Sequence, residues 1–269
     1  MGAYHHRLPM STTPSPKKPR RRGLYLLPNL LTTSSLFSGF YAIIAAIDGN
    51  FERAGMAIFA AMIFDTLDGR VARLTSTESD FGKEFDSLAD MVSFGLASAL
   101  VTYQWGVERI SEYGQVWGRA GWLAAFFYAA CAALRLARFN VRAAADKRYF
   151  EGLPSPSAAA VVSAFIWLSS EWREPGLPGL VVAFLVTASA GALMVSPFSY
   201  NSFKQLNLVG PMRFAGALLV LLVFIGIAVY PPVALLTLFG GYAAIGALQG
   251  IWRRLRRSQP RQLPPEARS

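Results

Sequence analysis

Eight apolar stretches, at about 26–47, 54–74, 86–107, 118–139, 156–171, 177–196, 213–230 and 232–252, fill most of the 269-residue chain. Each is close to the ~20 residues with which a helix crosses a bilayer. A segment in hydrocarbon must bond its own backbone polar groups, which a helix does by itself. The expected fold is therefore all-α: a polytopic transmembrane helical bundle of about eight spans. Composition agrees, with 53% hydrophobic and only 16% charged residues, where a soluble domain carries roughly 25% charged.

The charge that remains is unevenly placed. Arg and Lys crowd the two ends, in Lys17-Lys18-Pro19-Arg20-Arg21-Arg22 and Arg253-Arg254-Leu255-Arg256-Arg257. The formal charge of +10 does not point to nucleic acid, because these residues flank apolar spans instead of forming a patch on a polar domain. They fit the positive-inside bias and contact with anionic membrane lipids. Loops on the side of the termini carry Arg142, Lys147, Arg148 and Lys204, whereas Asp48, Glu52, Arg53, Glu108, Arg109, Glu112, Glu171, Arg173 and Glu174 fall opposite. This bias puts both termini in the cytoplasm. The seventh and eighth spans part only at Tyr230-Pro231-Pro232; one bent span there would move the C-terminal basic cluster outside. The expected organisation is a disordered basic cytoplasmic tail (1–23), a transmembrane domain (24–252) and a second basic cytoplasmic tail (253–269). The N-terminal tail lacks the apolar core and cleavage site of a secretory signal. The single cysteine, Cys131, excludes an intrachain disulfide.

Two spans are not clean. The second turns polar after Phe64, reading Asp65-Thr66-Leu67-Asp68-Gly69-Arg70-Val71-Ala72-Arg73, and the third opens through Glu84, Asp86 and Asp90. Carboxylates at membrane depth are costly and mark function, unless both helices begin late and leave the acids as solvated loop. Spacing favours function. At about 100° per residue, Asp65 and Asp68 lie about 60° apart on a helix, and Asp86 and Asp90 about 40° apart. Neighbouring helices joined by 75–80 can bring all four to one point. Four converging carboxylates repel one another unless cations neutralise them. Mg²⁺ or Mn²⁺, which take oxygen ligands and substrate phosphates, are the natural occupants, and paired ions serve phosphoryl transfer. Gly69, Ala72 and Gly82 beside the acids leave room for a nucleotide, or serve only close helix packing.

The run Asp65-x2-Asp68-Gly69-x2-Ala72-Arg73-x8-Gly82-x3-Asp86-x3-Asp90 resembles, at all eight fixed positions, the signature of the CDP-alcohol phosphatidyltransferase family. Leu27-Pro28-Asn29-Leu30-Leu31-Thr32 is similar to that family's first-helix element. Ala133 to Val141, Phe150-Glu151-Gly152-Leu153-Pro154-Ser155-Pro156 and Ser202-Phe203-Lys204 resemble its serine-using membrane branch. The resemblance spans about residues 24 to 210. It implies that Asp65, Asp68 and Asp86 ligate divalent metal, with Asp90 completing a second site and serving as general base. It implies contacts to CDP-diacylglycerol from Asn29, Thr32, Gly69, Arg73, Ser79 and Gly82. A homodimer in a bacterial inner membrane, with a cytoplasm-facing active site, is part of the same expectation. Arg73, at a cytoplasmic helix end, has the plainer alternative of snorkelling to the interface.

The implied reaction moves the phosphatidyl group of CDP-diacylglycerol to the hydroxyl of L-serine, releasing CMP. The serine carboxylate calls for a planar cationic donor. Arg135 and Arg138 share a face at the cytoplasmic end of the fourth span, and Asn140 adds an amide, although the positive-inside rule alone also puts arginines there. Lys204 and Arg142 are the next candidates. Glycerol 3-phosphate or an inositol phosphate is the alternative acceptor. An ion-coupled transporter, which also uses intramembrane acids, wants them near midplane in broken helices, and here they cluster at one end.

Overall fold

The computed structural model describes residues 26–107, 112–142, 150–170, 176–200 and 214–257. Eight helices carry the described chain: α1 (Leu26–Ile47), α2 (Phe51–Leu74), α3 (Asp80–Val107), α4 (Gln115–Arg142), α5 (Ser155–Ser169), α6 (Leu177–Val195), α7 (Phe214–Val229) and α8 (Pro231–Arg257). Each apolar segment read from the sequence falls on one of them. Five, namely α1, α3, α4, α6 and α8, are long and apolar enough to cross a membrane. Helix α5 is apolar but only 15 residues long, α7 has 16 residues, and α2 carries acids and arginines along its last turns.

Several boundaries differ from the hydropathy reading. Helix α2 starts at Phe51 because Asn50 caps it, its side chain accepting from Arg53 N at 3.1 Å. Helix α3 starts at Asp80 behind the cap Ser79. The acids are therefore fully helical and not solvated loop. Helix α8 continues to Arg257 and takes in residues 253–257, which hydropathy alone assigns to a tail. The tail 1–23, residues 258–269, Glu108, Arg109, Lys147, Arg148, Glu171, Arg173, Glu174 and Ser202-Phe203-Lys204 lie outside the described residues.

The interior is built from small side chains and the periphery from large ones. Ala42, Ala45, Ala46, Ala54, Ala57 and Ala61 are buried where α1 packs on α2, while Phe37, Phe40, Ile47 and Ile63 point outward. Lipid gives helices no hydrophobic reason to associate, so close backbone approach and dispersion contacts must hold them. Gly39 of α1 shows the closeness: a Cβ there would sit 2.5 Å from Ser93 Cα of α3. Ser93 Oγ donates to the Ser35 carbonyl at 3.0 Å across the same seam.

Helix α3 changes pitch just past the acids. Met91–Leu96 and Tyr103–Val107 are π-helical, a local widening common at functional sites. Tyr128 of α4, fully buried, donates its hydroxyl to the Phe94 carbonyl at 3.1 Å inside the first of these stretches. Ahead of α5, Phe150–Glu151 (β1) pairs antiparallel with Ser199–Tyr200 (β2). The chain then turns at Gly152 (φ +85°), whose N–H donates to Phe198 O at 2.8 Å and whose missing side chain makes room for Met194 O. Only glycine takes that conformation cheaply. The turn delivers Ser155 to the first position of α5.

Candidate active site

Three helices meet at the site. The last turns of α2 supply Asp65 and Asp68, the first turns of α3 supply Asp86 and Asp90, and the start of α1 supplies Asn29 and Thr32. Carboxylate oxygens of Asp65, Asp68 and Asp86 lie within 4.8 Å of one another, with Asp68 buried and the other two half-buried. Unit negative charges at that separation repel by roughly 3 kcal/mol per pair at an effective dielectric constant near 20. An all-oxygen, all-anionic donor set of this kind fits a hard divalent cation. Asp90 adjoins this group without belonging to it: its carboxyl contacts that of Asp65, and its Oδ1 is buried without a hydrogen-bond partner among the described residues.

A cleft of about 190 Å³ opens beside the acids, lined by Asn29, Thr32, Asp68, Gly69, Arg73, Ser79, Gly82 and Asp86 among others. All six residues expected from the sequence to contact CDP-diacylglycerol therefore line one cleft. Ser79 fixes the rim by accepting from Gly82 N at 3.0 Å, and a Cβ on Gly82 would press on Ser79 Oγ at 3.1 Å. Gly69 leaves space under the Arg73 guanidinium, whose nitrogens lie 3.8 and 3.9 Å from where a Cβ would be. The linking turn is stiffened by hydroxyls: Thr75 Oγ1 donates to Val71 O at 2.7 Å and lies 2.8 Å from Thr77 Oγ1.

Thr32 has a contact that the sequence did not reveal. Its hydroxyl is 2.7 Å from Asp68 Oδ2 and 3.1 Å from Pro28 O. One proton serves one acceptor at a time, and the shorter, charge-assisted bond to Asp68 is the stronger. Thr32 thus orients a carboxylate as well as lining the cleft. The cleft also holds Thr77, Glu78 and Lys83, which the x8 gap of the signature leaves unspecified.

The arginines of α4 divide. Arg135 interacts with Asp90 and donates from Nη1 to Ser155 Oγ at 2.9 Å. Arg138 is half-buried one turn further along. Asn140 Nδ2 donates to Ser87 Oγ at 3.0 Å, tying the end of α4 to the acid-bearing helix. Arg142 belongs to α4, and Lys204 lies outside the described residues. Ser87 and Ser155 were legible only in hindsight, as a hydroxyl next to Asp86 and as the serine of Leu153-Pro154-Ser155-Pro156.

Comparison with known proteins accords with this geometry. The CDP-alcohol phosphatidyltransferase family model matches residues 25–196, so the match takes in α1 to α6 with all four aspartates. The chain belongs to the CDP-alcohol phosphatidyltransferase family. It is 38% identical over 234 residues to a CDP-diacylglycerol–serine O-phosphatidyltransferase of Helicobacter pylori strain J99, covering 85% of this chain and 92% of the relative. A protein of the same name from Mycobacterium tuberculosis is 36% identical over 215 residues (76% and 71%). The archaetidylserine synthase of Methanothermobacter thermautotrophicus is 37% identical over 176 residues (65% and 69%).

Proposed function

We propose that this chain is a phosphatidyl transferase that joins CDP-diacylglycerol and L-serine into phosphatidylserine and CMP. The observation that carries the reading is the cleft itself: Asn29, Thr32, Gly69, Arg73, Ser79 and Gly82 line it together with Asp68 and Asp86 of the acid cluster. The names of its relatives support serine as the acceptor.

The residues divide the work. Gly69 and Gly82 let the cytidine and pyrophosphate approach the backbone, and Arg73 at the rim offers a cation to a phosphate oxygen. Asp65, Asp68 and Asp86 would hold divalent metal, Mg²⁺ or Mn²⁺, with Asp90 contributing to a second site. Such an ion, when bound, supplies charge neutralisation to the pyrophosphate as the leaving group departs. Asp90 takes the proton from the serine hydroxyl; the serine oxygen bonds to the phosphorus bearing diacylglycerol; the bond from that phosphorus to CMP breaks, and CMP leaves with the electron pair. The base is weak, so positioning and electrostatics carry most of the acceleration. Arg135 receives the serine carboxylate, with Arg138 and Asn140 on the same helix end.

All eight helices cross or enter the bilayer, both termini and the active site face the cytoplasm of a bacterial inner membrane, and the protein works as a homodimer. The uneven distribution of Lys and Arg supports the orientation.

Purified protein in detergent with CDP-diacylglycerol, Mg²⁺ and labelled serine, glycerol 3-phosphate or inositol phosphate tests the reading. Labelled lipid from serine alone, with one CMP per lipid, is expected. Label from another acceptor, with serine inert, would overturn the serine assignment; no lipid from any acceptor would overturn the activity.

A further inference from the structure

The cleft between α1, α2 and α3 accounts for the nucleotide-lipid, but not for what prepares the far side of Asp90. Two buried atoms there lack partners among the described residues: Asp90 Oδ1 and Arg135 Nε. They belong to groups of opposite charge that attract one another across the interior. Arg135 is meanwhile held from behind. Its Nη1 donates at 2.9 Å to Ser155 Oγ, and Ser155 is fully buried at the start of α5. That bond occupies one end of the guanidinium and leaves the Nε edge, one of the two-donor forks that match a carboxylate.

The third support comes from α8. The phenol of Tyr242 lies within electrostatic reach of the Arg135 guanidinium. Tyr242 is itself braced, its ring 5.5 Å from that of Tyr200 at 50°. Tyr200 is buried, donates its hydroxyl to Ala243 O at 3.3 Å, and fills the space that a side chain on Gly246 would need. Helix α8 is thus docked beside Arg135 through an aromatic pair. It begins at Pro231, beyond residue 196 where the match to the family model ends.

We infer that Ser155 and Tyr242 are positioning residues of the acceptor end, fixing the Arg135 guanidinium so that its Nε edge meets the carboxylate of an amino-acid acceptor whose hydroxyl faces Asp90. The inference rests on the serine reading above and adds that acceptor binding depends on a helix outside the family-wide domain. Arginine is long and loses rotamer freedom on binding; fixing it in advance removes that cost from the binding step. Ser155 does so by a direct bond, Tyr242 through its phenol on α8.

The test compares kcat and both Michaelis constants for wild type, Arg135→Lys, Ser155→Ala, Ser155→Thr and Tyr242→Phe in detergent. Ser155→Ala raises KM for serine about tenfold and Tyr242→Phe about threefold, the scale of losing a hydrogen bond to a charged group and of a weaker contact. In both, kcat and KM for CDP-diacylglycerol stay within about twofold of wild type, and Ser155→Thr, which keeps the hydroxyl, recovers most of the serine affinity. Wild-type serine KM in both variants, with Arg135→Lys impaired, overturns this inference and leaves the serine reading intact. Equal rises in both Michaelis constants also overturn it, because a packing defect acts on both substrates. An unimpaired Arg135→Lys removes the carboxylate site beneath it. Ser155→Ala deletes one oxygen and carries the test alone if Tyr242→Phe does not fold.

Discussion

The proposed nucleotide end of the site is built on α1, α2 and α3, consecutive in the chain, with the acids in fixed steps along α2 and α3. The proposed acceptor end joins Arg135 of α4, Ser155 of α5 and Tyr242 of α8, brought together only by tertiary packing. On that reading, chemistry shared by every acceptor sits where local helical periodicity can specify it, and chemistry particular to one acceptor sits where packing of distant helices decides it. One consequence is that damage to the two ends should read out on different substrates.

The largest separation comes from the metal. Chelation by EDTA should abolish turnover, and Mg²⁺ or Mn²⁺ should restore it, because three carboxylates within 4.8 Å need a cation to remain ionised together. Asp65→Asn raises the metal concentration for half-maximal rate and leaves KM for serine near wild type. A metal titration identical to wild type would break the assignment of Asp65 to the nucleotide end.

Next is Gly152→Ala. The position has φ +85° and lies against Met194 O, so an alanine costs roughly 1–3 kcal/mol of strain and displaces the start of α5. Thermal unfolding in detergent should move to lower temperature, and KM for serine should rise more than KM for CDP-diacylglycerol. Equal effects on both constants would show that the ends are not separable there.

The smallest effect is expected at Thr32. Thr32→Val removes the 2.7 Å bond to Asp68 and should weaken metal activation about tenfold, as loss of a hydrogen bond to a metal ligand does. Thr32→Ser keeps the hydroxyl and should stay near wild type. If both variants titrate with metal as wild type does, Thr32 serves the lipid headgroup and not the carboxylate.

The sequence made one end far more readable than the other. Asp65, Asp68, Asp86 and Asp90 were legible because helical steps of three and four residues turn spacing into direction. The apolar runs located all eight helices, yet they missed the starts of α2 and α3, since Asn50 and Ser79 cap polar first turns that hydropathy discards. Arg135 was legible as a cation at a helix end but not as the partner of Ser155, and nothing local marks Tyr242. The bond from Thr32 to Asp68 was hidden because a first-helix hydroxyl reads equally well as a ligand contact. The extension of α8 through Arg257 was hidden because a basic cluster after an apolar run resembles a tail.

Asp90→Asn tests the central claim most directly, with CDP-diacylglycerol binding and phosphatidylserine formation measured on the same preparation. Asp90 lies beside the three-carboxylate group, and its Oδ1 lacks a hydrogen-bond partner among the described residues. The expected result is loss of turnover with Mg²⁺-dependent binding of the nucleotide-lipid largely kept. Turnover near the wild-type rate would contradict its role as the base, and loss of binding together with turnover would make Asp90 a metal ligand above all.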